Sequence, residues 1–389
     1  MPRGRTSLRI RRDAGSHNQG ESPSVISLRL EARGAPSRLA AYASPFIAAV
    51  ATVIVGGVLF AALGIDPREA LYVFFVKPVA SRYGIGELLL KAGPLMLCAV
   101  GLAAGYRANV WNIGAEGQLT MGAIFGGGLA LAFPQSQSAW LLPAMIVAGA
   151  IGGMAWAAIP AWLRTRFNAN EILVSLMLVY VATYVLSLLV HGPWRDPEGF
   201  NFPQSRMFAA AALLPILVPG TRIHAGFLLA LASIAAGWLF MRKSHAGFEM
   251  RVAGLSADAA RYAGISVPRT VWTGLLVGGG CAGVAGVLEA AGPIGQLLPS
   301  MSPGYGFAAI VVAFVGRLNP VGILGASLLM SLLYLGGESA QIALKLPSAV
   351  TGIFQGAFLL LLLAADVFIR YRVRIGRGKP AAATAPGST

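Results

Sequence analysis

Four polar side chains, two of them amides of asparagine, lie at or near the start of an apolar segment. Asn109, Asn112, Glu116 and Gln118 precede or begin the apolar run 113–133. Ionisable and amide groups at membrane depth are costly, so they usually face a cavity or another polar group. Two interpretations stay open. The segment is a hinge or lining of a solute path, or it is a helix start at which Glu116 stabilises the positive helix end.

A second polar set accompanies another broken apolar stretch. Glycines and prolines interrupt residues 302–320, and Gln296, Tyr305 and Asn319 offer hydrogen-bonding groups around this stretch. Paired interrupted segments in the two halves of a transporter often mark the substrate path. The alternative is that these are plain helix breaks without a ligand.

A short, self-contained helix is predicted in the loop 242–269. Ser256 can cap its first turn, and Asp258 and Arg261 match the helix dipole at its two ends. Gly264 supplies the C-terminal stop of this helix. Gly254 lies two residues before the capping serine. We therefore predict a capped two-turn helix between residues 256 and 264.

An apolar stripe runs through the same loop. Its members recur at spacings of four and three residues, which is the period of one helix face: Phe248, Val252, Leu255, Ala259 and Tyr262. Such an amphipathic element suits docking into a partner's groove. Passive attachment to a membrane surface is the alternative.

No catalytic or metal-binding motif accompanies these groups. The only Gly-Lys pair, Gly378-Lys379, is followed by proline, so an ATP-binding loop is not indicated. Cys98 and Cys281 lie singly in apolar runs, which argues against a disulfide framework or a zinc site. We expect no enzyme activity, no metal and no bound cofactor. A partner or an ion gradient must then supply the energy for any transport.

The elements that hold these residues are membrane spans. Of the 389 residues, 56% are hydrophobic and 12% are charged, and the mean hydropathy is +0.69. An ordinary soluble domain has about 25% charged residues. The net charge of +15 comes from basic residues at the two ends and in short loops, a pattern typical of cytosolic loops rather than of a nucleic-acid surface.

The sequence predicts an all-α, polytopic helical membrane protein with about ten transmembrane segments. Two of them are expected to be broken or re-entrant, because 305–316 is short and 113–133 carries Glu116. The ten candidate spans are 41–63, 87–105, 113–133, 139–163, 172–190, 224–241, 270–290, 305–316, 320–337 and 347–368.

The Lys and Arg distribution predicts the orientation. With both termini in the cytosol, 22 of the 30 basic residues fall on the cytosolic side. The expected organisation is a disordered basic tail at 1–38, a transmembrane permease domain at 39–370 and a second basic cytosolic tail at 371–389. The loop 242–269 then faces the cytosol.

Four segments in this order resemble permeases of the branched-chain amino acid and ribose ABC importer group, most closely its nucleoside and simple-sugar branch. The matching segments are Asn112-Ile-Gly-Ala-Glu-Gly-Gln118, Asn170-Glu171-Ile-Leu-Val-Ser-Leu-Met-Leu178, Gly254-Leu-Ser-Ala-Asp-Ala-Ala-Arg-Tyr-Ala-Gly-Ile265, and Gly304-Tyr-Gly-Phe-Ala-Ala-Ile310 with Gly316-Arg-Leu-Asn-Pro-Val-Gly322. The resemblance covers roughly residues 41–370. One departure is Ala257, where this branch often has proline.

The resemblance implies a permease subunit in a larger complex in the cell (inner) membrane. Its expected partners are cytosolic ABC ATPase subunits that bind ATP, a second permease that is often a different chain, and an extracytoplasmic solute-binding protein. It implies ATPase coupling through Gly254, Ser256, Asp258, Arg261, Tyr262 and Gly264. We expect the translocation path to include Asn109, Asn112, Glu116, Gln118, Asn170, Glu171, Gln296, Tyr305 and Asn319.

Two rival hypotheses remain. An ion-driven secondary transporter would need buried carboxylates, of which the sequence offers mainly Glu116, Glu289 and Glu338. A multi-pass membrane enzyme would need clustered His or carboxylates at one membrane face, and the sequence shows no such cluster. The solute stays open between nucleosides and sugars.

Overall fold

The computed structural model describes residues 25–32, 38–350, 352–353, 356–357, 360–361, 364 and 371–378. The chain divides into two compact units. One comprises 1–63 with 356–389, and the other comprises 64–355. The predicted span 347–368 lies largely outside the described residues.

The first unit contains helix α1 (Arg38–Ala62) and a two-stranded antiparallel sheet. Strand β1 (Val25–Ala32) pairs with β2 (Tyr371–Gly378), with Val25 opposite Gly378 and Ala32 opposite Tyr371. The expectation of a disordered tail at 1–38 overlooked a period-two alternation, which also occurs at 371–378 within the expected basic tail. Apolar residues alternate with polar ones at Ile26, Leu28 and Leu30 and at Val373 and Ile375.

The second unit is helical throughout its described residues apart from connecting loops and two isolated bridges. Its helices are α2 (Pro67–Leu71), a π-helical turn Tyr72–Val76, a 3-10 turn Lys77–Val79, α3 (Arg82–Arg107), α4 (Ala115–Ala132), α5 (Leu141–Phe167), α6 (Glu171–His191), a 3-10 turn Ala210–Ala212, α7 (Gly226–Lys243), α8 (His245–Leu255), α9 (Ala257–Tyr262), α10 (Val267–Glu289) with a π-helical turn Ala290–Ile294, α11 (Tyr305–Val315) and α12 (Pro320–Leu344).

Side-chain caps define where several of these helices begin. Ser81 accepts a hydrogen bond from the Gly84 N–H at the start of α3. Asn170 and Asn319 do the same for α6 and α12. Each cap satisfies a backbone donor that has no partner within the helix, which is why a polar residue precedes an apolar run at these points.

Six described helices are long and apolar enough to cross a membrane: α3, α5, α6, α7, α10 with its π-helical turn, and α12. The chain is thus a helical, multi-pass membrane protein, but the predicted count of ten is not confirmed. Helix α11 has 11 residues, and neither α11 nor α4 is among the six. These are the two segments that the sequence predicts to be broken or re-entrant.

Helices α3 and α10 form the centre of the second unit. In the most apolar stretch of α3, 83% of residues are buried, against 22% in α6, so α6 presents most of its surface outward. Helix α10 packs against α3, α4 and α5. A Cβ atom at Gly283 would lie 2.1 Å from the Gly149 carbonyl oxygen, so only glycine permits this approach. Glycine at this position therefore allows α10 and α5 to pack closely, as small residues do between membrane helices.

Candidate functional site

The N-termini of two helices, α4 and α11, meet at Glu116. The Gly306 N–H in the first turn of α11 donates a hydrogen bond of 2.6 Å to Glu116 Oε2. Glu116 is only 8% exposed. A Cβ atom at Gly306 would lie 2.2 Å from the Glu116 nitrogen, so the two backbones touch here.

This arrangement concentrates positive partial charge around one carboxylate. Glu116 lies in the first turn of α4 and also accepts from the first turn of α11. Each helix N-terminus has unpaired N–H groups that favour an anion. The helix-start interpretation of Glu116 is therefore supported and extends to a second helix 190 residues away in the chain.

Asn112 and Gln118 form a closed amide pair beside Glu116. The Asn112 amide nitrogen donates to Gln118 Oε1 at 2.9 Å, and the Gln118 amide nitrogen donates back to Asn112 Oδ1 at 3.1 Å. Asn112 Oδ1 also accepts the Gly114 N–H, and the Tyr106 hydroxyl donates to the Asn112 carbonyl. The pair holds the loop before α4 against the helix.

Tyr305 lies next to this group at the first residue of α11. Its ring is buried and contacts Tyr334 edge-on, with 5.6 Å between ring centroids. Its N–H donates to Ser302 Oγ at 2.8 Å. The structure therefore brings four predicted path residues into one region: Asn112, Glu116, Gln118 and Tyr305.

Three further predicted residues form a separate network at the start of α6. Asn109, with a positive φ of 56°, accepts a 3.0 Å hydrogen bond from the Trp111 indole. The Trp111 N–H donates to Glu171, whose carboxylate pairs with Arg164 of α5. Asn170 caps α6. These contacts anchor the loop 109–114 to α5 and α6.

The remaining two predicted residues are bonded elsewhere. The Gln296 amide donates to Gln204 Oε1 at 3.3 Å. Asn319 accepts the Val321 N–H as the cap of α12. Their local roles are structural in this conformation, and neither bonds to the Glu116 group.

Two ion pairs near the N-terminal end of α3 were not predicted from the sequence. Arg222 forms a two-pronged pair with Glu87, at 2.7 and 2.5 Å, and the Lys91 ammonium lies 2.8 Å from Glu338 Oε1. The hydrogen bonds to Glu87 raise the pKa of Arg222 above its ordinary value. The four-residue spacing of Glu87 and Lys91 inside an apolar run could have indicated that both charges need partners. Their partners lie 135 and 247 residues away, which spacing cannot reveal.

The capped helix predicted at 256–264 is present as α9. Ser256 Oγ accepts the Ala259 N–H at 3.2 Å, and Gly264 has the positive φ of 77° typical of a helix stop. Asp258 and Arg261 form an exposed ion pair at 3.0 Å. The helix is therefore confirmed with its caps.

Large apolar side chains project from this element into the surroundings. Leu255 is 83% exposed and Tyr262 is 98% exposed, although such side chains are usually buried. We define the α8–α9 surface by Phe248, Leu255, Asp258, Arg261 and Tyr262.

The same element is fixed firmly to the helix core. A Cβ atom at Gly254 would lie 2.0 Å from the Arg107 carbonyl oxygen at the end of α3. Ala260 of α9 is fully buried. Helix α8 packs on α3, α7 and α10. The helices that carry the α8–α9 surface are thus in direct contact with the central helices α3 and α10.

Comparison with known proteins identifies the family. The model of the family described as the permease component of the branched-chain amino acid transport system matches residues 84–363. No solved structure matches the chain.

Several curated relatives are similar over most of their length. The glucose ABC transporter permease protein TsgB13 of Haloferax volcanii is 39% identical, covering 93% of this chain and 98% of the relative. The guanosine ABC transporter permease protein NupP of Bacillus subtilis is 29% identical, covering 86% of this chain and 96% of the relative. The nucleoside ABC transporter permease protein NupB of Lactococcus lactis is 29% identical, covering 75% of this chain and 82% of the relative.

Proposed function

This chain belongs to the family of permease components of branched-chain amino acid transport systems, and we propose that it is the membrane-spanning permease of an ABC importer for nucleosides or related simple sugars. The proposed solute class rests on the named relatives, of which one is a glucose permease and two are nucleoside or guanosine permeases. Their names favour an ATP-driven importer over an ion-driven secondary transporter.

The observation that carries the coupling role is the α8–α9 surface. Tyr262 and Leu255 are almost fully exposed, yet they stand on a helix pair that is wedged against α3 at Gly254. Exposed apolar anchors with an adjacent ion pair are typical of a groove-docking helix. We assign this surface to a cytosolic ATPase, with Tyr262 as the central anchor and Asp258 and Arg261 at its edge.

The Glu116 region is the proposed gate of the path. The starts of α4 and α11 meet there through a single carboxylate, and the Asn112–Gln118 pair closes beside it. Movement of α3 or α10 would shift α4 and α11, which pack on them. We therefore propose that ATP-driven closure of the partner subunits rocks these helices and opens the path to the other side.

The proposed assembly needs further partners. A second permease, most simply a related but different chain, would complete the path within the bilayer. An extracytoplasmic binding protein would deliver the solute, and both termini would lie in the cytosol. The family membership supports these partners, and the excess of Lys and Arg at the ends and in the loop 242–269 supports the orientation.

The decisive experiment replaces the anchor while leaving the fold intact. The double variant Arg261→Ala/Tyr262→Ala, in the complete importer in proteoliposomes, should lose solute-stimulated ATP hydrolysis and uptake. Both side chains are exposed, so we expect the amount of protein in the membrane to stay at the wild-type level.

A matched control uses the same residue types elsewhere. Arg68→Ala/Tyr72→Ala removes one exposed arginine and one exposed tyrosine from the segment before α3. This pair should leave uptake unchanged. Unaltered uptake in the Arg261/Tyr262 variant would refute the coupling assignment.

A further inference from the structure

An apolar groove of about 510 Å³ opens on the surface of the second unit, between α5 and α7. Helix α10 and Leu97 of α3 form its floor, while Met154 of α5 and both Ala232 and Ala236 of α7 form its walls. The two alanines are exposed, so the groove is open along this wall. A ligand can therefore enter it from the side.

The lining of this groove offers no free hydrogen-bonding group. Ser233 carries its one hydroxyl group, which donates to the Ala230 carbonyl of the same helix at 2.6 Å. The other lining side chains are aliphatic or, as at Met154 and Cys281, contain sulfur. A polar solute would lose its hydration here without gaining hydrogen bonds. The groove therefore suits a hydrocarbon chain rather than a sugar or a nucleoside.

All four helices that line the groove are among the six membrane spans: α3, α5, α7 and α10. The medium that reaches an open recess between such helices is the lipid itself. An empty recess would leave its lining atoms without van der Waals contacts on one side. A lipid acyl chain restores those contacts.

The faces of α10 and α7 that line the groove each continue to a basic side chain. Arg269 lies 11 residues before Gly280 on α10, and Lys243 lies seven residues after Ala236 on α7. These separations are about three and two helical turns, so each cation lies on the groove face of its helix. Both cations are exposed, and neither forms an ion pair with any described residue.

These cations lie at the same end of the helix bundle. The Trp272 indole of α10 donates to Thr165 Oγ1 of α5 at 3.2 Å, which places the start of α10 beside the end of α5. Helix α8 packs against both α7 and α10, so the end of α7 lies near the same level. Exposed Arg166 at the end of α5 adds a third cation. We define the basic rim by Arg166, Lys243 and Arg269.

Nearby carboxylates leave this basic rim uncompensated, because they already have other partners. The pairs are Glu171 with Arg164, Glu249 with His245, and Asp258 with Arg261. An anion from outside the described chain can therefore approach the rim.

The distance from the basic rim to the groove matches one leaflet of a bilayer. Eleven residues of helix between Arg269 and Gly280 rise about 16 Å. Half of the hydrocarbon core is about 15 Å thick. Trp272 lies near the rim, and tryptophan is enriched where the core meets the headgroups. A phospholipid with its phosphate at the rim thus places an acyl chain in the groove.

We propose that this groove binds an acyl chain of an anionic phospholipid, whose headgroup lies on the basic rim. Charge complementarity selects this occupant, since basic residues between membrane helices on the cytosolic side attract anionic headgroups. A helix of the second permease would fit the apolar walls but would leave the cations without partners. The inference goes beyond the proposed function, because it requires the membrane location and the proposed orientation but neither the solute nor the coupling role.

The test measures lipid binding to the complete importer by native mass spectrometry, after loosely bound lipid has been removed in detergent. Phosphatidylglycerol and phosphatidylcholine with identical acyl chains are added in equal steps and counted on this subunit. The wild type should bind phosphatidylglycerol more tightly. Lys243→Ala/Arg269→Ala should weaken phosphatidylglycerol binding about 30-fold and leave phosphatidylcholine binding nearly unchanged, because two cations near the headgroup are lost.

The charge control is Arg68→Ala/Lys77→Ala, which removes the same two residue types from exposed positions before α3 and should change neither affinity. A second variant tests the groove itself. Ala236→Phe should fill the groove and weaken binding of both lipids about tenfold, at roughly 0.8 kcal/mol per displaced CH₂ contact. Ala235→Phe, at an exposed position on the same helix but outside the lining, should bind lipid as the wild type does.

Equal wild-type affinities for the two lipids, or an intact preference in Lys243→Ala/Arg269→Ala, would overturn the lipid site. A photoreactive phenylalanine analogue in place of Ala236 should attach to lipid in the complete importer. Attachment to the second permease instead would make the groove a subunit contact and also overturn the proposal. Each of these outcomes leaves ATP-driven solute uptake by the wild type as a separate test of the proposed function.

Discussion

At the scale of single residues, Glu116 links two helices that lie 190 residues apart in the chain. Its carboxylate joins the starts of α4 and α11 through the hydrogen bond from the Gly306 N–H. A buried carboxylate is tolerated in this setting because two helix N-termini and the Gly306 N–H surround it. In the proposed gate its structural and functional roles would coincide, since a gate must hold firmly in one state before it can move to another.

Replacing this carboxylate by its amide should destabilise the subunit. In Glu116→Gln, an amide N–H₂ replaces one acceptor oxygen and faces the N–H donors of α11. We expect a loss of about 1.5–3 kcal/mol, the range for hydrogen bonds to charged groups. Thermal unfolding of the purified subunit in detergent measures the change. Glu69→Gln, at an exposed carboxylate of α2, should unfold as the wild type does, and equal stabilities of the two variants would contradict the assignment.

The Asn112–Gln118 pair should behave as a unit. Each single alanine variant leaves the other amide buried without its partner, since the two side chains are 2% and 1% exposed. A double-mutant cycle should therefore show a favourable coupling of about 0.6–2 kcal/mol, the range for hydrogen bonds between membrane helices.

The control cycle pairs Asn112→Ala with Asn319→Ala, which share no hydrogen bond. Those two changes should be additive within about 0.5 kcal/mol. Additivity of Asn112→Ala and Gln118→Ala would show that the amide pair contributes no coupling energy.

At the scale of elements, a helix or strand could be predicted from the sequence when the contacts that define it lie within a few residues of it. Helix α9 was predicted with its cap and stop because Ser256 and Gly264 act within a few residues. The breaks before α4 and α11 were likewise visible as glycine-rich, polar interruptions. Strand β1 was missed because its partner β2 lies at the other end of the chain.

Contacts between elements that are distant in the chain could not be predicted from residue spacing. The sequence grouped Gln296 and Asn319 with Glu116, but these side chains are satisfied by Gln204 and by the start of α12. Conversely, the ion pairs Glu87–Arg222 and Lys91–Glu338 arise only when α3, α12 and the loop before α7 come together. Polar residues near a break can be predicted, whereas their partners cannot.

The wedge between α8 and α3 leads to a prediction about coupling. A methyl group at Gly254 would collide with the Arg107 carbonyl, which is rigid backbone, so Gly254→Ala must displace α8. We expect the variant importer to hydrolyse ATP while its solute uptake falls about tenfold, because movement of the ATPases no longer reaches α3. Parallel assays of hydrolysis and uptake measure this separation.

Gly325 of α12 is the matched control. A Cβ atom there would meet no atom within 4 Å, and alanine is the better helix former. Gly325→Ala should keep both activities. Normal coupling in Gly254→Ala would show that the contact between α8 and α3 does not transmit force.

At the scale of the whole molecule, the orientation of the chain can be tested by cysteine labelling. With Cys98 and Cys281 replaced by alanine, Phe200→Cys and Tyr262→Cys each place one thiol at a site more than 90% exposed. A membrane-impermeant thiol reagent should label position 200 in intact cells and position 262 only after lysis. The reverse pattern would invert the proposed topology.

We predict that the isolated subunit cannot drive transport by itself. Its matched family model and relatives are permease components, and the α8–α9 surface exposes anchors that a motor would cover. Reconstituted alone, the chain should show no uptake with ATP or with a sodium or proton gradient, because the Glu116 contact keeps α4 and α11 together. Adding its ATPase, second permease and binding protein should restore ATP-dependent uptake. Gradient-driven uptake by the lone subunit would instead favour a secondary transporter, with Glu116, Glu289 and Glu338 as its ion-coupling carboxylates.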